Sequence, residues 1–156
     1  MLENTGERFR DVAAQAGRYL RAEHMGRGVA AGDIDNDGDV DLAVSHINGP
    51  LALLSNESQS NSHWIAIRLV GTRSSRDAIG AWVSVRTNDG PKQIRHRIGG
   101  GSYASSSDSS LNFGLGDATI VETIEVHWPT GSVESLRNVP ANHVLTIVEA
   151  TNQRTK

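Results

Sequence analysis

Gly28-Val29-Ala30-Ala31-Gly32-Asp33-Ile34-Asp35-Asn36-Asp37-Gly38-Asp39-Val40-Asp41-Leu42 is the stretch on which the fold of this chain turns. Between Asp33 and Asp41 a carboxylate occupies every second position, and glycine stands at the sixth. As an extended strand the run would set all five side chains on one face, where like charges repel. A loop wrapped around a hard cation removes that repulsion. Calcium takes about six to eight oxygens at roughly 2.3–2.6 Å, and a tight loop of alternating aspartates supplies them. Gly38 lacks a Cβ and permits the sharp turn. The predicted cofactor is therefore calcium, held around Asp33, Asp35, Asp37, Asp39 and Asp41.

The flanks decide which kind of calcium loop this is. A helix–loop–helix site needs a bidentate Glu at the twelfth loop position, and that position is Val44. The neighbouring residues are strand-like and Gly-rich instead. Residues 27–33 and 40–47 read as strands, Asn48-Gly49-Pro50 as a turn, and Leu51–Leu54 as a third strand. Upstream, Asp11 is placed to cap a helical turn over Val12–Ala16 that Gly17 ends. The polar stretch Asn56–Ser62 reads as a linker, and a domain boundary is placed there.

Beyond it, strand signals alternate with turns. In His63–Val70, Ile65, Ile67 and Leu69 share a face. Val83 and Val85 point inward, leaving Trp82, Ser84 and Arg86 on the opposite side. Asn88-Asp89-Gly90 marks a hairpin, and Gln93–Ile98 returns from it. Leu111–Leu115, Thr123–Trp128 with Ile124, Val126 and Trp128 inward, Val133–Leu136 and Val144–Val148 complete the series. The expected fold is all-β. A propeller-blade-like calcium unit over residues 1–61 precedes an antiparallel β-sandwich over 62–150, with a disordered tail at 151–156.

Composition narrows the function classes. Residues 1–61 carry five Lys/Arg against ten Asp/Glu, and residues 62–156 ten against eight. That basic excess is too small to argue for nucleic acid. No apolar run is long enough to span a membrane, and no signal peptide is legible after Met1. With no cysteine, disulfides and thiolate metal sites are excluded. The six histidines are scattered without zinc-type spacing.

The stretch 28–42 also resembles a repeat of the FG-GAP/VCBS type found in integrin-like propellers. The resemblance implies side-chain ligands from Asp33, Asp35, Asp37 and Asp41 and a carbonyl ligand from Asp39. Residues 62–149 resemble an ASPIC/UnbV domain. The motifs are His63-Trp64-Ile65-Ala66-Ile67-Arg68-Leu69-Val70-Gly71, Arg76-Asp77-Ala78-Ile79-Gly80-Ala81, Gly100-Gly101-Ser102-Tyr103-Ala104-Ser105-Ser106-Ser107-Asp108, Phe113-Gly114-Leu115-Gly116 and Val126-His127-Trp128-Pro129-Thr130-Gly131. This order implies a non-enzymatic, calcium-stabilised recognition or adhesion module, extracellular, at the cell surface or periplasmic, with a protein or glycan partner. Where a charged residue is usual in that domain, Trp82 stands. Trp82, Arg86, Arg95 and Arg97 are the candidate contact surface.

Two rivals belong to other classes. One is a carbohydrate-binding module with Trp82 as its candidate contact, although no row of exposed aromatics remains once Trp128 is assigned to the core. The other is a hydrolase assembled from Ser102 or Ser105–Ser107 with His96 or His127, although no G-x-S-x-G elbow is present. Gly99-Gly100-Gly101-Ser102 reads as a flexible turn rather than a phosphate cradle. A single blade cannot close a propeller, so its strand edges and apolar face need cover. The expectation is a homo-oligomer that supplies it.

Overall fold

Short apolar alternations punctuated by Gly, Asn and Pro favour strands over helices, and the chain follows them. The computed structural model describes residues 1–58 and 61–151. Among these, the only helical element is a 3-10 turn at Tyr19–Arg21. The tail expected at 151–156 lies outside the described residues except for Thr151, as do two residues of the linker.

A small hairpin of β1 (Leu2–Asn4) and β2 (Phe9–Asp11) opens the chain. The Asp11 carboxylate then accepts from the Ala13 N–H at 2.9 Å, and Ala16 N–H closes a turn on Val12 O. A three-stranded antiparallel meander follows, made of β3 (Gly26–Gly32), β4 (Asp41–His46) and β5 (Gly49–Leu54). The acidic run forms the β3–β4 connection.

The second half has two facing sheets. One is ordered β11-β10-β7-β8, from β7 (Trp82–Arg86), β8 (Gln93–His96), β10 (Ile120–His127) and β11 (Val133–Pro140). The other is β12-β6-β9, from β6 (His63–Val70), β9 (Leu111–Gly116) and β12 (His143–Val148). Period-two alternation buries Ile65, Ile67 and Phe113 of one sheet against Val83, Val85, Ile124 and Val126 of the other, all at 1% exposure or less. Trp128 and Leu69 close the same core.

One detail departs from expectation. The sandwich is antiparallel except at β12, which runs parallel to β6 from His143↔Ile65 to Val148↔Val70. On β8, Ile94 is 45% exposed, while Gln93 and Arg95 turn toward the facing sheet. Gln93 Nε2 donates to Gly114 O at 2.6 Å, and the Arg95 guanidinium lies 5.7 Å from the Phe113 ring centroid. This edge strand meets a carbonyl and an aromatic face, which suit polar and cationic tips better than an isoleucine.

Glu149, just beyond β12, pins the periphery. It is 1% exposed. Its Oε2 accepts from the backbone N–H groups of Thr72, Arg73 and Ser74, and Oε1 accepts from the Ser74 and Thr130 hydroxyls. Burial opposes ionisation, but these donors prevail and bring its pKa down to about 2.

The two halves touch at defined points. Asp108 N–H donates to Ala31 O at 2.8 Å, the Ser105 hydroxyl donates to Val29 O, and Ser107 Oγ accepts from Ala31 N–H. The segment 105–108 thus covers the open edge of β3. Gly28 is needed there, because a Cβ would fall 2.7 Å from the Ala104 carbonyl oxygen. One edge expected to need another chain is therefore covered by this chain's own loop. The β5 edge has no strand beside it among the described residues, and Leu51 and Leu53 stand exposed.

Candidate metal centre

Gly32 ends β3 and Asp41 begins β4, so the intervening carboxylates are carried on a loop anchored at both ends. Asn36 and Gly38 take left-handed backbone angles, φ 61° and 99°, which bend the loop back on itself. Its own amides then orient the carboxylates. Asp33 accepts from Asp37 N–H at 3.2 Å and from Gly38 N–H at 3.0 Å. Asp35 accepts from Asp37 N–H at 3.3 Å, and Asp37 from Asp39 N–H at 2.8 Å.

The result is one oxygen each from Asp33, Asp35 and Asp37, all within 4.8 Å of one another. Oxygens on opposite sides of a calcium ion lie about 4.8 Å apart, so all three fit one coordination sphere. Desolvation within the loop and the facing Asp37 carboxylate both raise the Asp35 pKa. A divalent cation reverses the sign of that electrostatic effect.

The other two aspartates of the run sit differently. Asp41 is 4% exposed. Its Oδ2 accepts from Ile34 N–H at 2.9 Å and its Oδ1 from Asn56 N–H at 2.8 Å. It ties the loop's base to the chain leaving β5, and each oxygen keeps a second lone pair that a cation could use. Asp39 is half-buried and contributes no side-chain oxygen to the cluster of three.

The loop is braced from the sandwich. A Cβ on Gly38 would meet Trp64 Nε1 at 2.1 Å. Trp64 lies on β6, and its backbone N–H and C=O are both held by Asn142. The loop tip therefore rests on an indole whose strand is fixed on its other side.

The candidate contact residues do not form one patch. Trp82 and Arg86 share the outer face of their sheet, but Arg95 lies on the opposite face of β8. Arg97 is turned to the Ile98 carbonyl at 2.6 Å. Trp82 is half-buried and stacks on His127, with centroids 3.6 Å apart and planes 7° apart, so one ring face is already covered. On the same outer face lies Arg137, which alternation along β11 places there once Leu136 is assigned to the core. Of the serines in the hydrolase grouping, the Ser105 hydroxyl donates to Val29 O and Ser107 Oγ accepts from Ala31 N–H, so both are engaged with the β3 backbone.

No helix among the described residues is long and apolar enough to cross a membrane. The family described as ASPIC and UnbV matches residues 71–154. Cartilage acidic protein 1 of Homo sapiens is 31% identical over 136 residues, covering 85% of this chain and 20% of that protein. The Mus musculus protein is 29% identical over 136 residues, with 85% and 21% covered. The Xenopus tropicalis protein is 30% identical over 127 residues, with 78% and 19% covered. The chain spans about a fifth of the length of these curated relatives. Coverage of 85% exceeds the share of the chain beyond residue 61, so the likeness reaches into the first half. Matched over more than half of its residues by the family's pattern, the chain belongs to the ASPIC and UnbV family.

Proposed function

We propose that this chain is a non-catalytic recognition module of an extracellular, cell-surface or periplasmic protein, stabilised by calcium. In this reading residues 1–61 are an FG-GAP/VCBS-type blade and residues 62–150 a separate sandwich domain. The observation that carries it is the convergence of three carboxylate oxygens within 4.8 Å on a loop whose own amides fix them. Asp41 and the Asp39 carbonyl would complete the ligand set. Calcium's part is structural, because one loop supplies these ligands and its tip rests on Trp64. The relatives' printed name places them with cartilage, which supports an extracellular setting.

The exposed β5 edge with Leu51 and Leu53 favours self-association as the cover for this unit. Light scattering across micromolar concentrations tests that; a monomer throughout refutes it. Calorimetric titration with calcium tests the module itself. One ion per chain is expected, and the Asp35→Ala/Asp37→Ala variant should bind none.

A further inference from the structure

The outer face of the β11-β10-β7-β8 sheet holds a polar depression of about 340 Å³. Register places Thr123 of β10 opposite Arg86 on one side and opposite Arg137 on the other. Strands lie about 4.8 Å apart, so the two arginines rise from positions roughly 10 Å apart across Thr123. Among the described residues neither guanidinium has a hydrogen bond or ion pair. Glu122 on the same lining also lacks a partner. Glu125 is already engaged: Lys92 Nζ lies 3.2 Å away and the Ser84 hydroxyl 3.2 Å.

These groups define a ligand. A guanidinium fork binds planar or tetrahedral oxoanions by paired hydrogen bonds. The lining has three cations and two carboxylates, a net charge of one, which suits a monoanion and disfavours a dianion such as a phosphate monoester. The unpaired Glu122 accepts from hydroxyl donors, and Thr123 offers a hydroxyl of its own. No aliphatic or aromatic side chain lines the depression, so a peptide finds no apolar anchor. Trp82 beside it has one ring face already taken by His127.

We propose that this depression binds an acidic glycan, gripping one carboxylate or sulfate ester between Arg86 and Arg137 while Glu122 and Thr123 meet its hydroxyls. The inference deepens the recognition-module reading but rests on sandwich residues alone. Calorimetric titration of the whole chain compares an oligogalacturonate, a sulfated dextran oligosaccharide and poly-L-glutamate. Binding of either glycan, weakening with salt, is expected. Arg86→Ala and Arg137→Ala should each weaken it about tenfold. Arg86→Lys should recover part of that loss, and Arg95→Ala on the opposite face should change nothing. Failure of both glycans, unchanged affinity in a folded Arg86→Ala/Arg137→Ala variant, or tighter binding of poly-L-glutamate overturns the proposal. Repeating the titration with Asp35→Ala/Asp37→Ala in chelator separates the two ideas. Glycan binding retained without calcium binding by the native chain sinks only the calcium reading, and the reverse sinks only this one.

Discussion

Replacing Glu149 by Gln isolates the one buried carboxylate that fastens three segments of the sandwich. Five donors converge on it, and its pKa falls from the ordinary 4.5 to about 2. At about 1.36 kcal/mol per pH unit this corresponds to about 3 kcal/mol of stability. The carboxylate is sealed but lies near the molecular surface, where solvent screening reduces the figure to about 2 kcal/mol. The folded pKa is depressed, so the contribution is complete above the unfolded value of 4.5 and is lost as pH falls toward 2. Glutamine keeps the shape and one acceptor oxygen, and the Ser74 and Thr130 hydroxyls can turn to accept from its amide. Glu149→Gln should therefore fold, with a deficit of about 2 kcal/mol at pH 7 that shrinks between pH 4.5 and 2. Urea denaturation of both proteins across that range reads the difference directly. A deficit independent of pH, or no deficit at pH 7, refutes the charge-assisted pin.

Further outcomes concern the loop. Gly38→Ala forces a side chain into φ 99° and against the Trp64 indole. It should cost at least about 1–2 kcal/mol, and a double-mutant cycle with Trp64→Ala should recover part of that loss; strict additivity would remove the brace. Asp41→Ala leaves the Ile34 and Asn56 N–H groups without their acceptor. Loss of about 2–4 kcal/mol is expected even in chelator, with Asn intermediate. If chelated native and variant proteins melt alike, Asp41 acts only through metal.

The sandwich core was legible because a period of two is a local property. Ile65, Ile67 and Leu69, and Ile124, Val126 and Trp128, could be assigned to the core from spacing alone. The turn that gathers Asp33, Asp35 and Asp37 was legible because alternating carboxylates avoid one strand face and a glycine at the sixth position permits the bend. What could not be read depended on contacts distant along the chain. The parallel pairing of β12 with β6 joins residues nearly eighty positions apart. The seating of Ser105–Asp108 on β3 is equally remote, and a Ser-rich stretch resembles any loop. Arg95 pointed inward because β8 is an edge whose neighbours are a carbonyl and a ring. Arg137 was missed because its relation to Arg86 exists only through Thr123 on the strand between them. Glu149 gave no sign of burial, since its donors come from two loops elsewhere in the chain.

In the proposed reading a structural calcium ion sits in the loop from Asp33 to Asp41. Thermal melting with calcium, with chelator, and in Asp35→Ala/Asp37→Ala tests it most directly. Calcium at about a hundred times its dissociation constant should stabilise the native chain by about 2.7 kcal/mol. Chelator should abolish the gain, and the double variant should show none. Identical melting of the native chain with calcium and with chelator would contradict the account.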